Sequence, residues 1–393
     1  MTLVLDTRAA TDERECDDLA LALLSLPRAG RVVALVPAHN EQDSIDLALD
    51  SLANQSRRPD LVIVVADNCT DGTVAAVHAR GDAVTVPTVA NVHKKAGALN
   101  QVLQRVLPVL DGHDAVLVMD ADSWLDPKFV EGALQRLGKP AGKGRRRSLI
   151  GGVGGTFRGG RGGGFVGMLQ RNEYARYARD VRRLKGKVLV LTGTAALFQV
   201  DVLRAVIAAR VAGELPGGVE ESGTRIGHVY DTSVLTEDNE LTLALLHLGY
   251  RIISPRECVL ETEVMTTWRE LWKQRLRWKR GALENLVDYG LTRITWRYWG
   301  RQLLTHIGVL VTTVYLASIV VSLALVGTVH LHPIWLAVTV IFIAERVISV
   351  RERGPLQMAL ASILVIEMAF DFYLQATQAK ALWDTITRSE RKW

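Results

Sequence analysis

Two aspartates, Asp120 and Asp122, end the apolar run Val116-Leu117-Val118-Met119 with one small residue between them. Neither carboxylate is cheap to desolvate, and at short range the two repel. A strand places residues i and i+2 on one face, so both side chains can aim at one point. Taken alone, the pair is more often a loop or helix cap that happens to hold two aspartates; the sharper reading is a divalent cation between them, and the rest of the chain decides. Hard oxygen donors suit Mg2+ or Mn2+, and two carboxylates suffice where a phosphate completes the coordination. A second acidic group, Thr236-Glu237-Asp238, opens a pattern with Leu241, Leu245 and Leu248 at helical spacing. Thr236 reads as the cap of that helix, with the acids favoured by its dipole.

These groups need elements to position them. "RVVALVPAHNEQDS" (31–44) and "DLVIVVADNCTDGT" (60–73) each run from an unalternating apolar stretch into a polar loop and a helix, and Ala115–Met119 is a third such strand. Strands of this kind, each followed by a helix, indicate a mostly parallel sheet covered on both faces, that is, an α/β Rossmann-like domain. In such sheets ligands bind at the carboxyl ends of the strands. His39-Asn40-Glu41, Asp67-Asn68 and Asp120–Asp122 all fall there.

The 393 residues suit one large or two modest domains, and 48% are hydrophobic, with the excess concentrated after about Leu303. A net charge of +5 does not call for nucleic acid. Cys16, Cys69 and Cys258 are far apart with no C-x-x-C, which argues against a disulfide framework or a zinc site and fits a reducing compartment. No apolar segment before Arg31 has the form of a signal peptide. The glycine-rich, basic stretch 141–164 is not a phosphate loop, because no Gly-Lys-Ser/Thr ends it. Ile150–Phe157 can form a strand and a helix follows, so the stretch reads as a mobile loop between sheet elements rather than an RNA-binding segment.

"TTWRELWKQRLRWKRGALENL" (266–286) sets Trp268, Leu271, Trp272 and Leu276 along one side and crowds Lys273, Arg275, Arg277, Lys279 and Arg280 on the remainder. That is the pattern of a basic amphipathic helix at a membrane surface. Leu303–Val326 is long enough to span. Pro333–Ile343 extends toward Val350 but carries Glu345 and Arg346, and Leu356–Leu374 carries Glu367 and Asp371. Two or three crossings are expected, with the loop "TVHLHP" outside and the flanking arginines inside. The divisions are 1–30, an acidic helical extension; 31–264, the catalytic domain; 265–301, amphipathic interface helices; 302–378, membrane segments; and 379–393, a basic tail.

Taken in order, "VPAHNE", "ADNCTDGT", "KKAGALN", "DAD", "TED" and "QRLRW" resemble the motifs of family 2 glycosyltransferases, among them the membrane-bound synthases of cellulose, hyaluronan and poly-N-acetylglucosamine. The likeness covers roughly residues 31–290 and implies a GT-A fold. It implies a UDP-sugar donor, an inverting displacement and Mn2+ or Mg2+ as cofactor. Asp122 then holds the metal with Asp120, which also reaches the donor. Ala38, Glu41, Asp67 and Lys95 match donor-binding positions. Asp238 matches the general base, with Glu237 to orient it. Arg277 matches the group that stabilises the departing diphosphate, and Arg275 is a second phosphate ligand. Gln274 and Trp278, with Gly193 and Thr194 of "LTGTAALF", match the acceptor site. The expected protein is integral to the cytoplasmic membrane, with its catalytic domain on the cytoplasmic side.

The acceptor is a carbohydrate, a lipid or a protein. Polymer synthesis and addition of single sugars both stay open. The small number of membrane helices leaves a polymer channel short of material in one chain, which points to a homo-oligomer. A non-catalytic sugar-nucleotide or glycan-binding membrane protein is the alternative of another class; three acidic motifs together argue against it.

Overall fold

The computed structural model describes residues 19–23, 25–26, 30–142, 148–218, 225–326 and 333–390. Most of the 1–30 extension lies outside these, as do Cys16, Lys143–Arg147, the loop "TVHLHP" up to its proline, and Arg391 and Lys392 of the tail. The chain forms two compact units, Met1–Arg158 with Val181–Glu263, and Gly159–Asp180 with Val264–Trp393.

The first unit is built on β1 (Val32–Ala38), β2 (Leu61–Ala66), β3 (Val84–Pro87) and β4 (Ala115–Met119). Every residue of β4 is buried, and all but Pro37 of β1, because helices cover both faces of the sheet. β1 pairs in parallel with β2 and with β4, and β2 with β3, so Ala38, Ala66 and Met119 reach the same end of the sheet. The helices Ile45–Ala53, Thr73–Arg80 and Lys94–Val106 begin just beyond that end.

The sheet is mixed. β9 (Ala195–Gln199) runs antiparallel to β4 on one side and to β7 (Ser148–Gly154) on the other, and β10 (Arg251–Ile253) is parallel to β7. The reversal brings the start of β9 beside the end of β4. A small sheet of β5 (Ser123–Leu125), β11 (Val259–Thr262) and β8 (Thr156–Gly159) completes the unit, with β6 (Pro140–Ala141) on the edge of β7.

The glycine-rich stretch corrects the expectation of a mobile loop, since from Ser148 to Gly159 it is two strands. Its glycines serve close packing. A Cβ on Gly152 would lie 2.6 Å from Leu191, and one on Gly155 would lie 2.3 Å from Leu260.

The second unit is helical. Helix Trp268–Tyr289 starts with a capping box: the Thr267 hydroxyl accepts from Glu270 N and the Glu270 carboxylate accepts from Thr267 N, both at 3.2 Å. Its basic residues do not all face solvent as the pattern suggested. Arg275 and Arg280 are buried, the first paired with Glu173 (2.7 Å) and the second with Glu284 (2.6 Å). The charges that interrupt the apolar C-terminal segments are also paired. Glu367, fully buried, accepts from Asn172 (2.9 Å), Arg176 (2.6 Å) and Arg346 (2.5 Å), and Arg346 also binds Asp371.

Among the described residues no single helix is long and apolar enough to cross a membrane. The pair Pro355–Ser362 and Leu364–Ile386 passes that test together, bent by 79°. The separate spans expected from Leu303, Pro333 and Leu356 onward are therefore not seen as such, and the last helix continues to Ile386, into the stretch read as tail. Helix Trp296–Val326 exposes Leu303, Leu304, Leu310, Val311, Val320 and Leu325.

Candidate active site

The ends of β1, β2 and β4 open on a cleft of about 560 Å³ lined by Ala38, Glu41, Asp67, Lys95, Asp120 and Asp122, together with Asn68, Asn91 and Val92. The backbone around it is strained. Asn40, Asn68, Ala90 and Lys94 all adopt positive φ, between 47° and 58°. Non-glycine residues seldom do so, and such strain clusters where function needs it.

At one end Asp67, 7% exposed, receives three donors on Oδ1: Asn68 Nδ2 at 3.0 Å, Thr88 Oγ1 at 2.9 Å and Asn91 Nδ2 at 2.7 Å. Asn91 also donates to the Lys94 carbonyl at 2.8 Å and accepts from His93 N at 3.0 Å. Gly97 makes room for it, since a Cβ there would stand 2.1 Å from Asn91 Oδ1. Sequence reading missed Thr88 and Asn91, which lie in the loop after β3. The signal was indirect: Gly97 in "KKAGALN", which only a close neighbour would require.

At the other end acids crowd. Burial first, then Asp120, Glu41 and Glu263, together push the Asp122 carboxyl up to about 7 against the opposing Ser123 hydroxyl. Glu41 is likewise raised, first by burial, then by Glu263 and Asp120 despite its 2.6 Å bond from Ser44. Among the described residues no group of three or more acid, histidine or cysteine side chains could hold a metal alone. Two carboxylates among like charges do fit a cation that draws its other oxygens from a phosphate ligand and water.

Lys95 joins this end to the second acidic motif. Its ammonium pairs with Asp120, donates to the Gly193 carbonyl at 3.0 Å and lies 3.5 Å from Glu237. Burial lowers its pKa, but Asp120, Glu237 and Asp238 outweigh that and hold it above the ordinary value. Asp238 lies on the first turn of helix Glu237–His247, for which Thr236 is the N-cap by position, without a side-chain cap bond. Its Oδ2 accepts from Gly193 N at 2.9 Å and its Oδ1 from Asn239 N at 2.8 Å. Gly193 permits the approach, as a Cβ there would stand 3.1 Å from Oδ2. The Asp238 carboxyl is pushed up to about 6, chiefly by burial and then by Glu237, against Lys95. The Thr194 carbonyl accepts from Asp120 N at 3.0 Å.

The first unit thus gathers Ala38, Glu41, Asp67, Lys95, Asp120, Asp122, Gly193, Thr194, Glu237 and Asp238. Gln274, Arg275, Arg277 and Trp278 belong to the second unit, on helix Trp268–Tyr289. There the Arg275 guanidinium lies 4.5 Å from the Trp278 ring centroid and 5.3 Å from that of Tyr174, with its charge engaged by Glu173.

A mixed α/β sheet with carboxylates and lysines at its strand ends has the arrangement in which α/β enzymes hold their ligands. The family model "Glycosyltransferase like family 2" matches residues 27–281, and the chain belongs to that family. It is similar to the poly-beta-1,6-N-acetyl-D-glucosamine synthase of Staphylococcus aureus strain MSSA476, 25% identical over 274 residues, 68% of this chain and 58% of that protein. The synthase of the same name from Staphylococcus epidermidis is 23% identical over 259 residues, 64% of this chain and 55% of its own length. The chain therefore spans somewhat over half the length of the curated relatives it matches. Among solved structures, a mannosyltransferase from Pyrobaculum calidifontis in complex with GDP-Man and Mn2+ shares the fold, with a TM-score of 0.51, 19% identity, and coverage of 98% of this chain and 97% of that one.

Proposed function

We propose that the chain is an inverting, metal-dependent glycosyltransferase that moves a sugar from a UDP-sugar to an acceptor hydroxyl at the cytoplasmic face of the membrane, extending a polysaccharide. The observation that carries this reading is Lys95, whose ammonium links Asp120 of the acid-rich cleft to Glu237, beside Asp238. Such an arrangement supports a donor's diphosphate and an acceptor's hydroxyl being brought together.

Asp67 and Ala38 take the nucleoside of the donor, Glu41 and Lys95 border its phosphates, and Asp120 and Asp122 hold Mn2+ or Mg2+. The ion, when bound, supplies positive charge to the diphosphate. Asp238 accepts the proton of the acceptor hydroxyl as that oxygen bonds to the anomeric carbon. The bond from that carbon to the diphosphate oxygen breaks, and the nucleoside diphosphate leaves with the electron pair. A carboxylate whose pKa is near 6 is still ionised at neutral pH and is a better base than an ordinary aspartate. Glu237 and Gly193 N orient it. By motif, Arg277, with Arg275 behind it, is assigned to the leaving diphosphate, and Gln274 and Trp278, with Gly193 and Thr194, to the acceptor. The exposed leucines and valines of helix Trp296–Val326 support the membrane setting.

The test is UDP release by detergent-purified protein with Mn2+ across a panel of UDP-sugars, beside Asp238→Asn. Release with one sugar is expected, falling by about 10²–10⁴ in the variant while Mn2+-dependent UDP binding persists. Full turnover by the variant would remove Asp238 as the base. Absence of UDP binding by the parent protein would overturn the reading as a whole.

A further inference from the structure

Glu41 lines the acidic end of the cleft against the like charges of Glu263, Asp120 and Asp71. Among the described residues only the Ser44 hydroxyl donates to its carboxylate. The side chain alone therefore has little hold on that place. Its main chain is fixed from the loop after β2. Glu41 N donates to Thr73 Oγ1 at 2.8 Å, and the Thr73 hydroxyl donates to Asp71 Oδ1 at 2.6 Å. Gln42 N donates to Asp71 Oδ2 at 3.2 Å, and Gly72 N donates back to Gln42 Oε1 at 2.9 Å.

Charge sets the direction of these bonds. The Thr73 hydroxyl, and then the amides of Thr73 and Gln42, hold Asp71 below the ordinary carboxylate range. An ionised carboxylate only accepts, so the Thr73 proton goes to Asp71 and a lone pair of the hydroxyl is left for the Glu41 amide. Thr73 has no exposure and opens helix Thr73–Arg80, so packing fixes that lone pair in place. A helix start needs the bond between Asp71 and Thr73 N; it does not need the bonds that cross to Glu41 and Gln42. We propose that Asp71 and Thr73 are positioning residues that fix Glu41 beside the cation site of Asp120 and Asp122, where its charge strengthens metal-dependent binding of the donor's diphosphate. This rests on the reading of the cleft as a nucleotide-sugar site with a divalent ion.

The chain in detergent is titrated by calorimetry with UDP, once with Mn2+ and once with EDTA, and the ratio of the two affinities is read. Thr73→Val keeps the shape and removes the acceptor. It is expected to lower that ratio about tenfold, the scale of losing an outer partner of a metal site, and to leave the affinity in EDTA unchanged. Thr73→Ser returns the oxygen and is expected to restore the ratio. Glu41→Gln is expected to lower it alike, and the double variant no further, because both changes act through one carboxylate. An unchanged ratio in folded Thr73→Val overturns the proposal, as do losses that add in the double variant. Weaker UDP binding in EDTA overturns it too, since that is the mark of general damage to a loop that also carries Asp67. Where Thr73→Val does not fold, Asp71→Asn, at a partly exposed position, removes the charge that directs the Thr73 hydroxyl and is read in the same way. Equal UDP binding by the parent protein with Mn2+ and with EDTA overturns the inference alone. Absence of UDP binding in both removes the nucleotide reading of the cleft as well, so the two failures are distinguishable.

Discussion

Asp122 is a carboxylate partly withdrawn from water and Glu367 one wholly withdrawn, one in each unit, and the protein treats them oppositely. Glu367 has no exposure and three donors, two of them guanidinium groups. Asp122 has one hydroxyl, from Ser123 at 3.0 Å, and is otherwise crowded by Asp120, Glu41 and Glu263. A buried acid with its counter-charges built in is part of the architecture. A partly buried acid set among like charges is instead the kind of site where ligands act.

Glu367→Gln should show the largest effect. It keeps the shape but leaves Arg176 uncompensated and Arg346 with Asp371 alone, at an expected cost of about 3–5 kcal/mol. A fall in the thermal midpoint in detergent, with Mn2+-dependent UDP binding retained by the folded fraction, is the expected result. An unchanged midpoint would erase the contrast. Asp122→Asn should do the reverse: the midpoint of the metal-free protein holds, while Mn2+-dependent UDP affinity falls by at least 10- to 100-fold, the scale already reached by loss of outer-shell metal partners.

The third prediction uses pH. Asp238 must be ionised to act as the base, so with a carboxyl pKa of about 6 transfer should drop about tenfold per pH unit below that value. Stability runs the other way. Because the folded pKa lies above the unfolded one, the contribution of Asp238 is fully present below the unfolded value and is lost as pH rises through about 6. A flat rate profile from pH 5 to 7 would place the base elsewhere. Gly97→Ala should act least, by pushing Asn91 from its place beside Asp67 and weakening UDP binding about tenfold or less.

The parts of the molecule legible in the sequence are those with a pattern of their own. β1, β2 and β4 announce themselves as unalternating apolar runs, and the carboxyl-end rule then collects Glu41, Asp67 and Asp120. Lys95 was visible as a motif, but its bond to Asp120 and its proximity to Glu237 depend on pairings between distant strands. Thr88 and Asn91 sit in a loop whose shape, with Ala90 and Lys94 at positive φ, leaves little trace in residue type. The stretch from Ser148 to Gly159 misled because glycine signals both a flexible chain and a crowded one, and here the neighbours Leu191 and Leu260 decide for crowding. Glu345 and Glu367 look out of place in apolar segments because their partners Arg179 and Arg176 lie more than 150 residues earlier, while Arg346 and Asp371 pair with each other across two of those segments.

The reversal of β9 has a consequence for mutational tolerance. By running against β4 it delivers peptide groups to the middle of the site: Gly193 N to Asp238, the Gly193 carbonyl to Lys95, and the Thr194 carbonyl to the Asp120 amide. Every residue but proline carries the same main-chain donor and acceptor, so no other exchange of side chain removes the groups that make these contacts. Drift in this segment is therefore limited by backbone shape and by the room Asp238 leaves at Gly193, so a saturation library should register tight restriction at 193 and a wider choice at 194.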